Sequence, residues 1–211
     1  MPGRPSDHEE RREHWADVYE RNAPDAVSWY QADPSPSLAM IDRLAVPRTA
    51  PVVDVGGGSS MLVDRLLDRG FADVTVVDIA PRALATARDR VGDDPRVTWL
   101  AVDLLEWAPD RRYGLWHDRA VLHFLAGDEV AAHRDLVRRA VAPGGGAVLG
   151  TFGPDGPESC SGLPVTRYDA AGLAAVLGDR FVVVDHRSEE HRTPSGNLQS
   201  FVWVAARQVV A

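Results

Sequence analysis

The residues Val52-Val53-Asp54-Val55-Gly56-Gly57-Gly58-Ser59 decide the fold of this chain. A short apolar strand runs into three glycines, and apolar residues at helical spacing follow at Leu62, Val63, Leu66 and Leu67. A second strand, residues 74–78, then ends in an acid 20 positions after Gly58. Glycine lets the backbone approach a ligand closely, and an acid at a strand end can accept hydrogen bonds from ribose hydroxyls. This order predicts a nucleotide-binding βαβ unit.

The spacing of the glycines argues against a phosphate-bearing ligand. A dinucleotide site requires a third glycine at position 61, which is methionine here. A P-loop requires lysine after its glycines, and the sequence contains no lysine. Asp54 would repel a phosphate at this loop but would attract a cationic amino group.

Asp54-x-Gly56-x-Gly58, followed by Asp78, therefore predicts a site for S-adenosylmethionine (SAM). SAM offers an ammonium, a sulfonium and a ribose, and it carries no phosphate. The product bound at the same site would be S-adenosylhomocysteine. The competing interpretation is a glycine-rich turn that serves only the fold.

Composition limits the range of functions. The 211 residues suffice for one well-packed α/β domain, and 45% of them are hydrophobic. A net charge of −8 argues against binding to a nucleic-acid backbone. Cys160 is the only cysteine, so no intrachain disulfide can form. The absence of an 18-residue apolar run predicts no membrane partner, and the charged N-terminus predicts a cytoplasmic protein.

Strands alternating with helices predict an α/β fold with a Rossmann-like, seven-stranded sheet. The sheet is expected to be mostly parallel, to end in a C-terminal antiparallel hairpin and to carry helices on both faces. The predicted strands are 52–55, 74–78, 97–101, 113–117, 147–152, 181–187 and 199–207, with a turn at 142–146 and a loop at 153–167. We expect residues 1–48 to form an N-terminal helical lid segment and residues 49–211 to form the cofactor-binding domain.

These motifs resemble those of class I SAM-dependent methyltransferases over roughly residues 50–207. The resemblance implies that the loop with Asp54, Gly56, Gly57 and Gly58 holds the methionyl part of SAM. It implies that Asp78 and its neighbour Ile79 bind the ribose region. It also implies that Asp103 meets adenine N6, that Leu104 lies beside the ring, and that His117 underlies the methionine. Gly114 departs from the pattern, because many members have aspartate there.

The aromatic residues before the first strand are similar to the lid of small bacterial methyltransferases. Tyr19 and Trp29 are therefore expected to contact SAM, since aromatic rings can enclose a sulfonium through cation–π attraction. The same residues could instead form the core of an N-terminal helix. The segment also resembles the lid of seven-strand lysine methyltransferases.

Polar residues after the fourth strand are candidates for acceptor chemistry. His117 or Asp118 is expected to be the catalytic base, if the acceptor must lose a proton. The alternative is a local ion pair at the start of a helix. Residues expected to bind the acceptor are Trp29, Tyr30, Arg119, Cys160, Arg167, Tyr168 and His191. The histidine spacing matches no metal-ligand pattern, so no metal is expected.

We therefore predict a methyltransferase that moves the methyl group of SAM to an O, N or S nucleophile of a small molecule. A protein lysine methyltransferase of the seven-strand type is the alternative, with a protein side chain as its partner. An alternative of another class is a non-catalytic SAM-binding protein. An Asn/Asp-Pro-Pro-Tyr/Phe motif, typical of base N-methyltransferases, does not follow the fourth strand.

Overall fold

The structure, a computed structural model, describes residues 8–210. The helices are α1 (His8–Arg21), α2 (Ser35–Arg43), α3 (Leu62–Asp68), α4 (Pro81–Val91), α5 (Asp128–Ala140) and α6 (Ala170–Leu177), with a 3-10 turn at Leu122–Phe124. The main sheet contains β1 (Val52–Val55), β2 (Val74–Asp78), β3 (Val97–Ala101), β4 (Tyr113–Arg119), β5 (Val141–Phe152), β8 (Phe181–Arg192) and β9 (Leu198–Gln208). Two short strands, β6 (Ser159–Cys160) and β7 (Leu163–Pro164), pair separately.

The main sheet has the order β3-β2-β1-β4-β5-β9-β8. Strands β1 to β5 pair in parallel, and β9 pairs antiparallel with both β5 and β8. The predicted sheet with its C-terminal antiparallel hairpin is therefore confirmed. From β1 the chain builds β2 and β3 on one side, and then returns to build β4 and β5 on the other side. The carboxyl ends of β1 and β4 therefore flank a topological switch point, where ligands of such sheets bind.

Helices cover both faces, because the central strands are apolar on both sides. All four residues of β1 are buried, as parallel sheets require. One face packs on apolar residues of α2, α3 and α4, including Ile41, Leu66 and Leu84. The other packs on α5 and α6, including Leu136 and Leu173. No helix among residues 8–210 is both long and apolar enough to cross a membrane.

The predicted N-terminal segment, residues 1–48, contributes in two ways. Helix α1 has no buried residue, whereas α2 places Leu38 and Ile41 in the core. The segment therefore includes part of the core of the sheet domain. Residues 1–7 and 211 lie outside the described residues.

Two local predictions differ from the structure. Residues 142–146, expected as a turn before the fifth strand, instead form a bulge within β5, where Tyr113 pairs with Val141 but Leu115 pairs with Gly146. Gly144 has a φ of 76°, which suits the bulge. The region 153–167, expected as loop only, contains the β6–β7 hairpin, which brings Cys160 opposite Leu163.

A buried hydrogen bond joins β4 to α5. Asp118 and His133 are both 0% exposed, and His133 Nε2 lies 2.8 Å from Asp118 Oδ2. Asp118 Oδ1 accepts hydrogen bonds from the backbone N–H groups of Val121 and Leu122. This carboxylate therefore fixes the turn after β4 and anchors α5 against the sheet.

Asp118→Ala should lower the free energy of unfolding by about 3 kcal/mol, because the imidazole and two backbone N–H groups lose a buried partner. Urea denaturation measures the loss. Asp110→Ala, at an exposed loop position, is the control and should change stability by less than about 0.5 kcal/mol. Equal stability of the two variants would contradict a structural role for Asp118.

Candidate functional site

A cavity with about 920 Å³ of empty space lies at the carboxyl ends of the parallel strands. Its walls at one end include Asp78 from β2 and Asp103, which follows β3. Its walls at the other end include Phe152 from β5, Cys160 from β6 and Phe201 from β9. Asp54 and His117 border a second, adjoining cavity of about 520 Å³, and Trp29 and Arg119 line both.

The glycine loop between β1 and α3 lies against these walls. Gly56 and Gly58 have φ angles of 64° and 45°, where a side chain is strained. A Cβ at Gly56 would lie 2.1 Å from Val121 Cγ2. A Cβ at Gly58 would lie 2.6 Å from the Tyr19 hydroxyl and 3.1 Å from Asp78 Oδ2. Glycine therefore lets Val121 pack directly on the loop at Gly56, and lets Tyr19 and Asp78 approach it at Gly58.

Asp78 is a buried carboxylate at the end of β2, with 6% of its surface exposed. Its Oδ1 accepts a hydrogen bond from Ala80 N–H at 2.8 Å. Burial, together with the nearby charge of Asp54, raises the pKa of Asp78 to about 7, although hydrogen bonds from backbone N–H groups oppose this rise. Among residues 8–210, Asp78 forms no ion pair with a cation. Such a carboxylate can accept hydrogen bonds from ligand hydroxyls, which fits the ribose contact predicted for it.

Asp54 belongs to a buried hydrogen-bonded chain that the register of the sheet creates. Asp54 and His117 are paired positions on β1 and β4, so their side chains share one face. His117 Nδ1 donates to Asp54 Oδ1 at 2.8 Å, and His117 Nε2 lies 2.9 Å from Ser37 Oγ. Both ring nitrogens of His117 therefore have partners within the protein. The ring orients the Asp54 carboxylate at the rim of the smaller cavity.

Helix α1 is fixed to the far edge of the site by ion pairs. Arg11 Nε donates to Asp103 Oδ2 at 2.7 Å, and Arg11 Nη1 donates to Glu129 at 3.1 Å. His8 Nδ1 also lies 3.3 Å from Asp103 Oδ2. Asp103 Oδ1 accepts from Leu105 N–H. Burial of Asp103 opposes its charged form, but hydrogen bonds from Leu105 N–H, Arg11 and His8 outweigh this effect and lower the pKa of Asp103 below its ordinary value.

Aromatic side chains from α1 and the following loop cover the middle of the cavity. Trp15 makes edge-on contacts with Trp29 and Phe124, with ring centroids 6.1 and 5.0 Å apart. Tyr19 packs edge-on against Trp29 at 6.1 Å. Tyr19, Trp29, Ile79 and Leu104, all expected at the cofactor, line the main cavity.

The strand pleat separates the polar trio that follows the fourth strand. Successive side chains of β4 point to opposite faces, so Asp118 lies under α5 while His117 and Arg119 lie on the other face. Asp118 lines neither cavity, and its expected catalytic role therefore finds no support in this geometry. Arg119 lines both cavities, as expected for an acceptor-binding residue.

The other residues expected to bind the acceptor lie in different places. Cys160 lines the main cavity, and burial raises the pKa of its thiol. Tyr30 lines the smaller cavity. Arg167 instead bonds to Gly156 and Glu158 outside both cavities, and Tyr168 also lines neither. His191 lines a third, open depression, where its Nε2 donates to the Ser28 carbonyl.

Several residues at the site were not expected from the sequence. Arg11, Trp15 and Tyr19 are spaced i, i+4, i+8 and therefore share one face of α1. This spacing could have indicated from the sequence that Arg11 reaches the site with the two aromatic residues. Phe152 and Phe201 reach the cavity from adjacent strands. Ser37 is 80 residues from His117 in the chain, and no local pattern indicates their contact.

The described residues contain no metal-binding arrangement. Among residues 8–210, no group of three or more His, Cys, Asp or Glu side chains is placed to hold a metal ion.

Gly58→Ala should weaken S-adenosylhomocysteine binding by about tenfold or more, because the added methyl group displaces Tyr19 and crowds Asp78. Isothermal calorimetry measures the affinity. Gly70→Ala is the matched control, since Gly70 also has a positive φ of 83° but nothing lies within 4 Å of its added Cβ. Gly70→Ala should lose about 1 kcal/mol of stability from the backbone angle alone, and Gly58→Ala should lose at least as much, because its methyl group also contacts Tyr19. Unchanged affinity in Gly58→Ala would mean that the loop is only a structural turn.

Asp78 should make the ligand-free protein less stable as pH rises. Its folded pKa of about 7 exceeds the ordinary value of 3.8, so the folded state holds more protons than the unfolded state between these values. The loss of folding stability caused by ionised Asp78 is absent below pH 4 and grows between pH 4 and pH 7. Above pH 7 it is complete, on the order of 4 kcal/mol.

Asp78→Asn should remove this pH dependence and raise the melting temperature at pH 8, while S-adenosylhomocysteine binds at least about tenfold more weakly. Thermal unfolding at pH 5 and pH 8 measures the first effect, and calorimetry measures the second. Identical pH profiles of the variant and the wild type would reject the burial penalty.

The comparisons with known proteins agree with this geometry. Residues 52–145 match a family model described as a methyltransferase domain. An uncharacterized methyltransferase of Mycobacterium bovis is 31% identical over 138 residues, which cover 64% of this chain and 67% of that protein. Trans-aconitate 2-methyltransferase of Variovorax paradoxus is 33% identical over 128 residues, which cover 58% of this chain and 46% of that enzyme. The chain thus spans less than half the length of several curated relatives it matches.

Solved structures share the fold. The Burkholderia thailandensis 1,6-didemethyltoxoflavin-N1-methyltransferase, solved with 1,6-didemethyltoxoflavin and S-adenosylhomocysteine, is 22% identical with a TM-score of 0.67. The alignment covers 99% of this chain and 93% of that one. From the family match, the relative of similar length and the seven-strand order, it follows that this chain belongs to the class I, SAM-dependent methyltransferase family.

Proposed function

We propose that this chain transfers the methyl group of SAM to a small-molecule acceptor. The observation that carries the proposal is the continuity of the main cavity, which extends from Asp78 and Asp103 past the glycine loop to Phe152, Cys160 and Phe201. One end has the groups that a nucleoside needs, and the other end has space that a second molecule can fill. The names of the trans-aconitate and didemethyltoxoflavin enzymes also refer to small acceptors.

The residues present fit the cofactor of the family. Asp78 would accept hydrogen bonds from the ribose, and Asp103 and Leu104 would border the adenine. Asp54, oriented by His117, would attract the ammonium group. Gly56, which lines both cavities without a side chain, would let the methionyl chain approach the backbone of the loop. When bound, SAM supplies a methyl group on a positively charged sulfur. A nucleophile can attack this methyl carbon in line with the carbon–sulfur bond, and the sulfur leaves as the neutral thioether of S-adenosylhomocysteine.

The aromatic residues of α1 and its following loop would exclude water from the transfer. Trp15, Tyr19, Trp29 and Phe124 contact one another across the cavity. A water-free site strengthens electrostatic interactions and holds the two reactants in position. Orientation and exclusion of water are then the main contributions of the protein to the rate.

The acceptor end offers little for removing a proton at neutral pH. Burial raises the pKa of Tyr19 well above its ordinary value and also raises that of Cys160, so both remain protonated. His117 has protein partners on both ring nitrogens. We therefore propose that His117 is a positioning residue for Asp54 and that the acceptor arrives already deprotonated.

The acceptor class can be tested with isotope-labelled SAM and fractionated extracts. Purified protein is incubated with SAM labelled in the methyl group and with a metabolite extract or a proteome extract. We expect label in a metabolite, and about tenfold less or lower with Gly58→Ala when SAM is kept below its dissociation constant for that variant. Label in a lysine of a protein would favour the lysine methyltransferase instead. Binding of SAM without transfer to either extract would favour the non-catalytic alternative.

A further inference from the structure

Arg119 has two hydrogen-bond donors without a partner in the wall of the cavity. Its Nη1 donates to the Trp29 carbonyl at 2.7 Å. Its Nε and Nη2 are shielded from solvent and have no hydrogen-bond partner among residues 8–210. Shielded polar groups are nearly always hydrogen-bonded, and a charged group without a partner is costly. The two donors therefore call for an acceptor that the described chain does not supply.

No carboxylate neutralises this guanidinium within the described part of the chain. The charge of Glu189 favours the cation, but its two carboxylate oxygens bond to Trp203 Nε1 at 2.7 Å and to Gln31 Nε2 at 3.1 Å. Burial lowers the pKa of Arg119 to about 10, so the side chain is still a cation at neutral pH. The wall thus presents a positive charge with no ion-pair partner among residues 8–210.

The two free donors have the geometry of a carboxylate site. Nε–H and Nη2–H lie on the same edge of the planar guanidinium, and such an edge binds both oxygens of a carboxylate side by side. The opposite nitrogen, Nη1, is held by Trp29. The guanidinium is also stacked over the Phe201 ring, with Cζ 4.8 Å from the centroid. These two contacts fix the edge in place before a ligand binds.

The position of the guanidinium places it on the acceptor side of the cavity. Phe201 belongs to β9, which is two strands from β4 and three strands from β1 in the sheet. With neighbouring strands about 4.8 Å apart, β9 is roughly 14 Å from the strand that carries the glycine loop. Phe152 and Cys160 line the same end. Arg119 also lines the smaller cavity beside the glycine loop, where the methionyl chain of SAM is expected. Its contact with Phe201 places the guanidinium toward the other end of the main cavity, where a second substrate would lie.

We propose that Arg119 binds a carboxylate of the methyl acceptor through Nε and Nη2, which makes a carboxylate-bearing small molecule with an apolar or aromatic body the substrate class. This proposal rests on the proposed function, because it concerns the second substrate of the same site. The ring surfaces of Phe152 and Phe201 would contact the apolar body.

Benzoate and benzamide test the proposal, since they share a ring and differ in charge. Each is titrated into protein saturated with S-adenosylhomocysteine, and binding is followed by ligand-observed NMR. The proteins are wild type, Arg119→Met, and Arg112→Met as a control at an exposed arginine. In wild type and in Arg112→Met, benzoate should bind about tenfold or more tightly than benzamide. In Arg119→Met, this preference should fall to less than about twofold.

The affinities for S-adenosylhomocysteine and 5′-methylthioadenosine separate the acceptor from the cofactor. Methylthioadenosine lacks the amino-acid end, so a contact between Arg119 and the methionyl carboxylate would affect only S-adenosylhomocysteine. We expect Arg119→Met to bind both nucleosides within about threefold of wild type. Selective loss of S-adenosylhomocysteine affinity would overturn the proposal, and so would equal binding of benzoate and benzamide to wild type.

The folded state of the variant is checked independently. Replacing an unpaired buried charge by an apolar side chain should leave the melting temperature of Arg119→Met unchanged or raised. If this variant does not fold, the benzoate preference of wild type alone decides the proposal. Failure of the proposed function would show differently, as wild type that does not bind S-adenosylhomocysteine or does not transfer a methyl group.

Discussion

The in-register parallel pairing of β1 with β2 and β4 is the constraint on which the site depends. Gly56 N–H and Gly57 N–H both donate to the Val77 carbonyl, so the glycine loop turns directly over the end of β2. The same pairing sets Asp54 beside His117. A shift of one residue would turn Asp54 away from His117 and place it on the opposite face. The apolar packing on both faces holds this register.

Two charged side chains at the carboxyl ends of the strands are shielded from solvent without a partner of opposite charge among the described residues, which lowers the stability of the folded state. Asp78 is buried without a cation, and Arg119 is shielded without an anion among residues 8–210. A protein selected only for stability would replace such groups by apolar ones. Their burial costs are offset by the valine-rich strands and by the helices on both faces. A ligand that pairs with these groups would recover part of that cost. The site would therefore favour ligands with hydroxyl groups for Asp78 and an anionic group for Arg119.

Helix α1 links the two ends of the cavity. At its first turns, His8 and Arg11 contact Asp103 near the nucleoside end, and one and two turns later Trp15 and Tyr19 cover the middle. The helix has no fully buried residue, and the ion pairs of Arg11 and the ring contacts of Trp15 and Tyr19 hold it on the domain. Segments with few buried contacts open at low free energy.

The sequence by itself determined the fold class, the glycine loop and the carboxylates at strand ends, because these depend on short-range patterns such as Asp54-x-Gly56-x-Gly58 followed by Asp78. Only the tertiary structure decided the roles of residues near the acceptor. Asp118 and Arg119 are neighbours in the chain, but the pleat of β4 points their side chains to opposite faces of the sheet. Asp118 therefore lies under α5, whereas Arg119 lines the cavity. The contact of Ser37 with His117 joins positions 80 residues apart. Such contacts arise from packing of distant segments, and no local pattern in the sequence encodes them.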